Sequence, residues 1–525
     1  MNTFSSIPPG KINVLSLDVD YIHDPTAFYA HICAKSEHSL LLDSAEINSK
    51  EDLKSIMLID AALRIECMGR TITLDALSKN GEDLLAHLYG QISDRFIAKL
   101  QQPRLSLQVP QNAPALDEDT RLLQTSSLDV LRLIRQSLDL DGQNEMALFM
   151  GGLFAYDLVD SFEPLPSVTA NNQCPDYLFY VAETLLTIDH QKQHAKLQAT
   201  LFGGQYSQES YYELSRRLRF LQEQSKGTYT PPQAQKLETI DYTTNISDPD
   251  FCDIVSHLKQ RVINGDVFQI VPSRQFKLPC PSPLATYQIL KESNPSPYMF
   301  YLKDSKFTLF GASPESALKY THKTNEVQIS PIAGTRKRGK NPDGSINMDL
   351  DSRIEFNMRS DKKEQAEHMM LVDLARNDVA RISIAGTRHV TNLLQVDRYS
   401  HVMHLVSRVV GKLRPDLDAL HAYQACMNMG TLSGAPKVRA MQLIRSVEHT
   451  RRGAYGGAVG YLTGAGDLDT CIVIRSAYVE NQIATVQAGA GVVYDSIPQS
   501  EADETVNKAQ AVISAIKKTH LKECK

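Results

Sequence analysis

The sequence predicts an α+β fold built mainly on antiparallel sheets, and three observations carry that expectation. Short β-rich runs alternate irregularly with helical patterns, without the regular strand–helix rhythm of a parallel sheet. No self-similarity at a period of about 20–50 residues is visible, which disfavours solenoids and propellers. No GxGxxG or Walker loop stands between a strand and a helix, so a nucleotide-binding fold has no support.

The β-rich runs come in chain order as SLLLDSAEI, KSIMLIDAALRIE, EVQISPIAGT, YSHVMHLVSRVVGKL and QIATVQAGAGVVYD. Between the second and third lies a polar stretch, 222–241, with a Pro-Pro pair and almost no apolar residues. It separates an amino-terminal part (1–225) from a longer carboxy-terminal part (240–525), whose folded domains can still interleave. A helix should follow, with Asp248 as N-cap, Pro249 at its first position, an apolar stripe of Phe251, Val255, Leu258 and Val262, and Asn264-Gly265 at its end. The strand VFQIVPSR comes next, and alternation places Gln269 with Val267 and Val271.

Composition bounds the function classes. At about 150 residues per domain, 525 residues imply more than one core. With 42% hydrophobic and 22% charged residues the chain suits a large soluble protein. A net charge of −6 argues against general nucleic-acid binding. The longest nearly apolar run, Ala147 to Tyr156, is about half of a bilayer crossing. The start has neither a basic n-region nor an apolar h-region, so no secretory signal is expected. The eight cysteines contain no CxxC pair and read as reduced cytoplasmic thiols. There is no tryptophan at all.

Several residues could carry chemistry. In DKKEQAEHMMLVDLARND, a predicted helix, Glu364 and Glu367 share a face with Leu371 and Leu374. Acids on a buried stripe must be paired, protonated or metal-bound, but a solvated helix edge fits the same spacing. A second i, i+3 pair, Glu501 and Glu504, opens EADETVNKAQAVISAIKKT. There a capping box of Ser500 with Asp503 offers a purely structural explanation. Two such helices could nevertheless converge on Mg²⁺, which prefers carboxylate oxygens. His404 alternates with Val402 and Val406 and is either a core histidine or a general acid, and His401 lies close by. Arg475, in the strand-like CIVIRSAYV, needs an anionic partner. The basic run TRKRGKNPDG reads as a solvated loop.

These residues and their neighbours together resemble one family. LLDSAEI (41–47), NPSPYMF (294–300), GASPE (311–315), PIAGT (331–335) and DLARND (373–378) match it in order. So do GTLSGAPK (430–437), GAYGG (453–457), IRSA (474–477), GAGVV (489–493) and EADET (501–505). The chain resembles the chorismate-utilising enzymes, specifically the anthranilate synthase large-subunit (component I) family, over nearly its whole length. That resemblance implies antiparallel sheets packed as a sandwich flanked by helices. It implies a Mg²⁺-dependent lyase that converts chorismate and ammonia to anthranilate and pyruvate, the first committed step of tryptophan biosynthesis.

Residue by residue, the resemblance implies Glu367 and Glu504 as metal ligands assisted by Glu364 and Glu501, and His404 as the acid that protonates the departing hydroxyl. It implies Arg475 and Tyr455 at the enolpyruvyl carboxylate, with Gly334, Thr335, Thr431, Gly489, Ala490 and Gly491 lining the substrate. Ser44, Pro297, Tyr298 and Met299 match a feedback site for L-tryptophan, although Asp43 is one methylene shorter than the usual Glu. A separate glutaminase subunit should supply ammonia, in a heterotetramer of two large and two small subunits.

Side-chain chemistry narrows the reaction. Where relatives that make aminodeoxychorismate carry a nucleophilic lysine, this chain has Ala333, so that covalent route is excluded. Where isochorismate-forming relatives carry a lysine that activates water, it has Gln269, which is no base near neutral pH. Ammonia needs no such base. The rival readings are an isochorismate synthase, disfavoured by Gln269, and a tryptophan-sensing subunit with an idle catalytic site.

Overall fold

The computed structural model describes residues 6–44, 53–92, 95–111, 117–140, 142, 144–168, 172–399 and 402–522. Nearly all its strands pair antiparallel, in two sheets that share two long members, Lys54–Met68 and Tyr177–Asp189. The early half of Lys54–Met68 pairs with Ser39–Asp43, and its later half pairs with Thr71–Ala76. Register shifts between Leu58 and Leu63 bend the shared pair where it passes from one sheet to the other.

The first sheet continues from Ser39–Asp43 through Tyr298–Lys303, Thr308–Ser313, Ser476–Glu480 and Ile483–Gly489 to Ser273–Pro279. The second runs from Tyr177–Asp189 through Met150–Phe154, Ala458–Leu462, Leu468–Ile472, Ser316–Thr321 and Glu326–Ile329 to Val402–Lys412. Their facing sides bury Leu40, Phe300 and Leu309 of one against Phe149, Val459 and Cys471 of the other. Burying side chains of this size contributes about 1.5–3 kcal/mol each, before the entropy of ordering them. The result is an antiparallel sandwich with helices on its outer faces, as the sequence predicts. Amino-terminal strands pair with carboxy-terminal ones in both sheets, so the polar stretch is a break in sequence and not in space.

Some local expectations need correction. The helix after that stretch is Asp248–Ile263, capped by Ser247, whose hydroxyl accepts from the Asp250 N–H. Asp248 and Pro249 are therefore its first two residues, and the helix starts one residue earlier than the sequence suggests. VFQIVPSR holds only a two-residue strand, Gln269–Ile270, before Ser273–Pro279. Phe268 turns outward at 72% exposure and breaks the alternation. The last helix begins at Pro498, with no side-chain cap. Ser500 thus lies inside the helix, and the expected capping box does not form. Among the described residues, seven cysteines are free thiols. No described helix is long and apolar enough to cross a membrane.

Candidate active site

The site is organised by the antiparallel pair Ile332–Lys337 and Val402–Lys412, in which Thr335 lies opposite His404. Register slips between Ala333 and Thr335, and the extra residue, Gly334, sits at φ +67°. A bulge of this kind favours glycine, which meets no Cβ penalty in the left-handed region. It also permits a close approach, because a Cβ on Gly334 would lie 2.8 Å from the Glu364 Oε2.

His404 is 2% exposed, and its Nδ1 lies 2.9 Å from the Thr335 hydroxyl. Burial pushes its pKa down to about 4, the Arg475 charge acts in the same direction, and a hydrogen bond with the Gly334 backbone opposes both. The ring of Tyr399 stands edge-on to it, with centroids 5.2 Å apart. His401 lies outside the described residues.

The carboxylates sit on two helices. Lys362–Ile382 carries Glu364 and Glu367, with Leu371 buried further along the same face. Arg336 Nη1 donates to Glu364 Oε1 at 2.9 Å. Arg338 grips the buried Asp351 with Nε and Nη2. The basic run therefore begins as a strand end, Thr335–Lys337, and Arg338 anchors a helix, while its last residues form the exposed loop the sequence suggests. On Pro498–His520, Glu501 is 7% exposed, and Glu504 pairs with Lys508 at 2.6 Å.

Whether these acids suit Mg²⁺ can be judged from the donor set. Among the described residues, no three His, Cys, Asp or Glu side chains cluster closely enough to form a metal cage. Mg²⁺ does not need one, because it keeps several waters and takes one or two carboxylates plus a substrate anion. Glu364, Glu367, Glu501 and Glu504 supply hard oxygen donors. Gly334 leaves Glu364 the room that a Cβ would fill, and donors of this kind suit the ion.

Arg475 falls in the gap between Leu468–Ile472 and Ser476–Glu480, at φ +48°, and not within a continuous strand. Burial lowers its pKa, and the charge of Glu315 acts against that. Glu315 is 7% exposed, and burial raises its pKa to about 8 against the Thr431 hydroxyl, the Ile332 amide and the charges of Lys508 and Arg475. A buried guanidinium beside a carboxyl that keeps its proton leaves net positive character for an anionic ligand.

Gly489 lets two groups come close. Its carbonyl accepts from Lys508 Nζ at 3.0 Å, and a Cβ there would lie 3.0 Å from the Tyr455 hydroxyl. A Cβ on Gly491 would lie 2.8 Å from the Gln269 amide nitrogen, and Ala490 between them is buried. Close approach, ion pairing and charge influence link a series of groups from one acidic helix to the other: Glu364, Gly334, His404, Arg475, Glu315, Lys508 and Glu504.

Ser44, Pro297, Tyr298 and Met299 all line one separate cavity of about 520 Å³. Met299 pairs directly with Asp43 across the strands. The Asp43 carboxylate is already engaged, accepting from the Ser55 hydroxyl at 2.5 Å and pairing with Lys291. Ala45, Glu46 and Ile47 of that motif lie outside the described residues.

Sequence reasoning missed Glu315, Lys508, Arg336 and Tyr399. Glu315 closes the GASPE motif, and a carboxyl ending a run of small residues was its only signal. Lys508 is four residues beyond Glu504 on one helix face, a spacing that was readable.

Comparison with known proteins shows the family. A family model described as chorismate binding enzyme matches residues 95–514. The chain is 65% identical over 509 residues to anthranilate synthase component 1 of Vibrio cholerae serotype O1, covering 97% of each chain. Against that of Escherichia coli K12 it is 55% identical over 509 residues, 97% of this chain and 98% of the other. The crystal structure of anthranilate synthase component I from Streptococcus pneumoniae TIGR4 aligns with a TM-score of 0.67 at 29% identity, covering 94% of this chain and 98% of that one. The menaquinone-specific isochorismate synthase of Escherichia coli also gives 0.67, at 17% identity over 98% and 96% of the two chains, a likeness of fold.

Proposed function

The chain belongs to the chorismate binding enzyme family, and from that premise we propose that it is an anthranilate synthase large subunit. In this reading ammonia adds to the chorismate ring as the C4 hydroxyl leaves with a proton. The aminodeoxyisochorismate so formed then loses a ring proton and pyruvate to give anthranilate. The observation that carries the choice of reaction is the Gln269 amide against Gly491, with the Ala333 methyl beside the Gly334 bulge. Neither can act as nucleophile or base, so the attacking group must be nucleophilic already.

The roles follow from charge and burial. Arg475 and Tyr455 hold the enolpyruvyl carboxylate, Lys508 adds a cation, and Thr335, Thr431 and the amides of 489–491 close around the ring. His404, neutral while the site lacks its anionic substrate, gains a proton when negative charge arrives beside it and delivers it to the departing hydroxyl. Glu364, Glu367, Glu501 and Glu504 would hold Mg²⁺, which when bound supplies Lewis-acid stabilisation of the ring carboxylate.

Three further assignments belong to the same reading. Ammonia comes from a separate glutaminase subunit, in a cytoplasmic heterotetramer of two large and two small chains. The 520 Å³ cavity takes L-tryptophan as feedback inhibitor. The amino-terminal part contributes Ser44 and its strand neighbours to that cavity. Most of the lining comes from the carboxy-terminal part, which corrects the expectation that the amino-terminal part holds much of the site. The test of the reading is turnover by the purified chain with chorismate, MgCl₂ and excess ammonium at alkaline pH, followed by anthranilate fluorescence. No fluorescent product despite consumption of chorismate would refute it.

A further inference from the structure

The effector cavity and the catalytic pocket share a boundary. On Val402–Lys412, His404 and Val406 are two residues apart on one face, so Val406 lines the cavity while His404 meets Thr335. Pro314 and Ser316 line the cavity on either side of Glu315, which answers to Thr431 and Arg475. One side chain touches both compartments directly. Tyr399 lines the cavity, and its ring lies against the His404 ring at 5.2 Å and 63°.

The Tyr399 backbone is fixed. Its N–H donates to the Val402 carbonyl at 2.8 Å, and its carbonyl accepts from Arg338 Nη1 at 2.6 Å. Arg338 is itself clamped on Asp351. The ring is therefore the part free to respond to an occupant. At 8% exposure it is packed closely enough that a displacement must be passed to a neighbour. One such neighbour is His404, held otherwise by one hydroxyl and the Gly334 backbone.

We propose that Tyr399 is a positioning residue through which occupancy of the effector cavity acts on His404. The inference rests on the tryptophan reading of that cavity and adds the physical route of inhibition. An effector that packs against the Tyr399 ring favours one ring setting over another, and only such differential contact can shift the equilibrium. A shift of about 1 Å in a proton donor is enough to cost on the order of a hundredfold in rate.

Because the chain has no tryptophan, bound effector is the only indole and its fluorescence reports binding separately from activity. In the Tyr399→Leu chain, at tryptophan concentrations that saturate its indole signal, we expect inhibition to fall below half. Tyr399→Phe, which keeps the ring edge, should retain full inhibition. In ¹⁵N-histidine-labelled protein, tryptophan should move the His404 ring signals of wild type and Tyr399→Phe but not of Tyr399→Leu, the signals being assigned by their loss in His404→Asn. Full inhibition in a Tyr399→Leu chain that still binds tryptophan would overturn the proposal. So would wild-type His404 signals unmoved at saturating tryptophan, a readout independent of whether any variant folds. A wild-type chain that shows no indole binding refutes the effector reading itself, which separates the two failures.

Discussion

Thr335 and His404 face each other across two paired antiparallel strands, hydroxyl to ring nitrogen, at 2.9 Å. Without that contact the imidazole has only the Gly334 backbone and the Tyr399 edge to fix its orientation. A hydrogen bond of this kind is worth up to about 1.5 kcal/mol net, close to a tenfold change in rate when it aligns a proton donor. Thr335→Val should lower kcat about tenfold in the ammonia-driven assay and leave the KM for chorismate nearly unchanged. An unaltered kcat would show that the hydroxyl does not orient the ring.

Gly334 matters for a different reason. Its φ of +67° already disfavours a side chain, and a Cβ would stand 2.8 Å from the Glu364 carboxylate. Gly334→Ala should displace Glu364 and raise the Mg²⁺ concentration needed for half-maximal activity by about tenfold or more. Glu504→Gln should act in the same assay by removing a ligand from the opposite helix. A magnesium titration identical to wild type would remove either residue from the ion's site.

Glu315 gives a pH signature. Its pKa rises from 4.5 to about 8, chiefly through burial. Between those values the native chain holds a proton that the unfolded chain has lost. The contribution of this group to stability is therefore complete below about pH 4.5 and declines as pH rises towards 8, by at most about 1.4 kcal/mol per unit. Glu315→Gln cannot ionise, so its melting temperature should fall less than wild type from pH 5 to pH 8. Parallel curves would mean that Glu315 ionises normally in the folded chain.

At the effector cavity, Ser44→Ala or Met299→Thr should relieve tryptophan inhibition with little loss of catalysis. Both side chains line the cavity, and neither belongs to the catalytic series. Indole fluorescence should show the weakened binding directly. An unchanged inhibition curve would place the effector elsewhere.

Much of this was legible from residues alone. Alternation placed His404 correctly between Val402 and Val406, and helical spacing placed Glu364 and Glu367 on one face with the buried Leu371. Tertiary contacts overrode local rules elsewhere. Arg475 looks like a strand residue because apolar neighbours flank it, yet the chain turns through φ +48° there to let the side chain enter the site. Arg336 and Arg338 look like a solvated basic run because nothing local shows that two helices will bring Glu364 and Asp351 to them. Glu315 carries no periodic signal, since its environment is assembled from Thr431, Arg475 and Lys508, far away in the chain. The interleaving of the two parts was likewise invisible, because pairing such as Asp43 with Met299 joins strands over 250 positions apart.

The most direct measurement is the product ratio from the purified chain given chorismate, MgCl₂ and excess ammonium at alkaline pH. The account predicts anthranilate and pyruvate in equal amounts, because ammonia attacks unaided where Gln269 offers no base and each elimination releases one pyruvate. Isochorismate formed without pyruvate would contradict it.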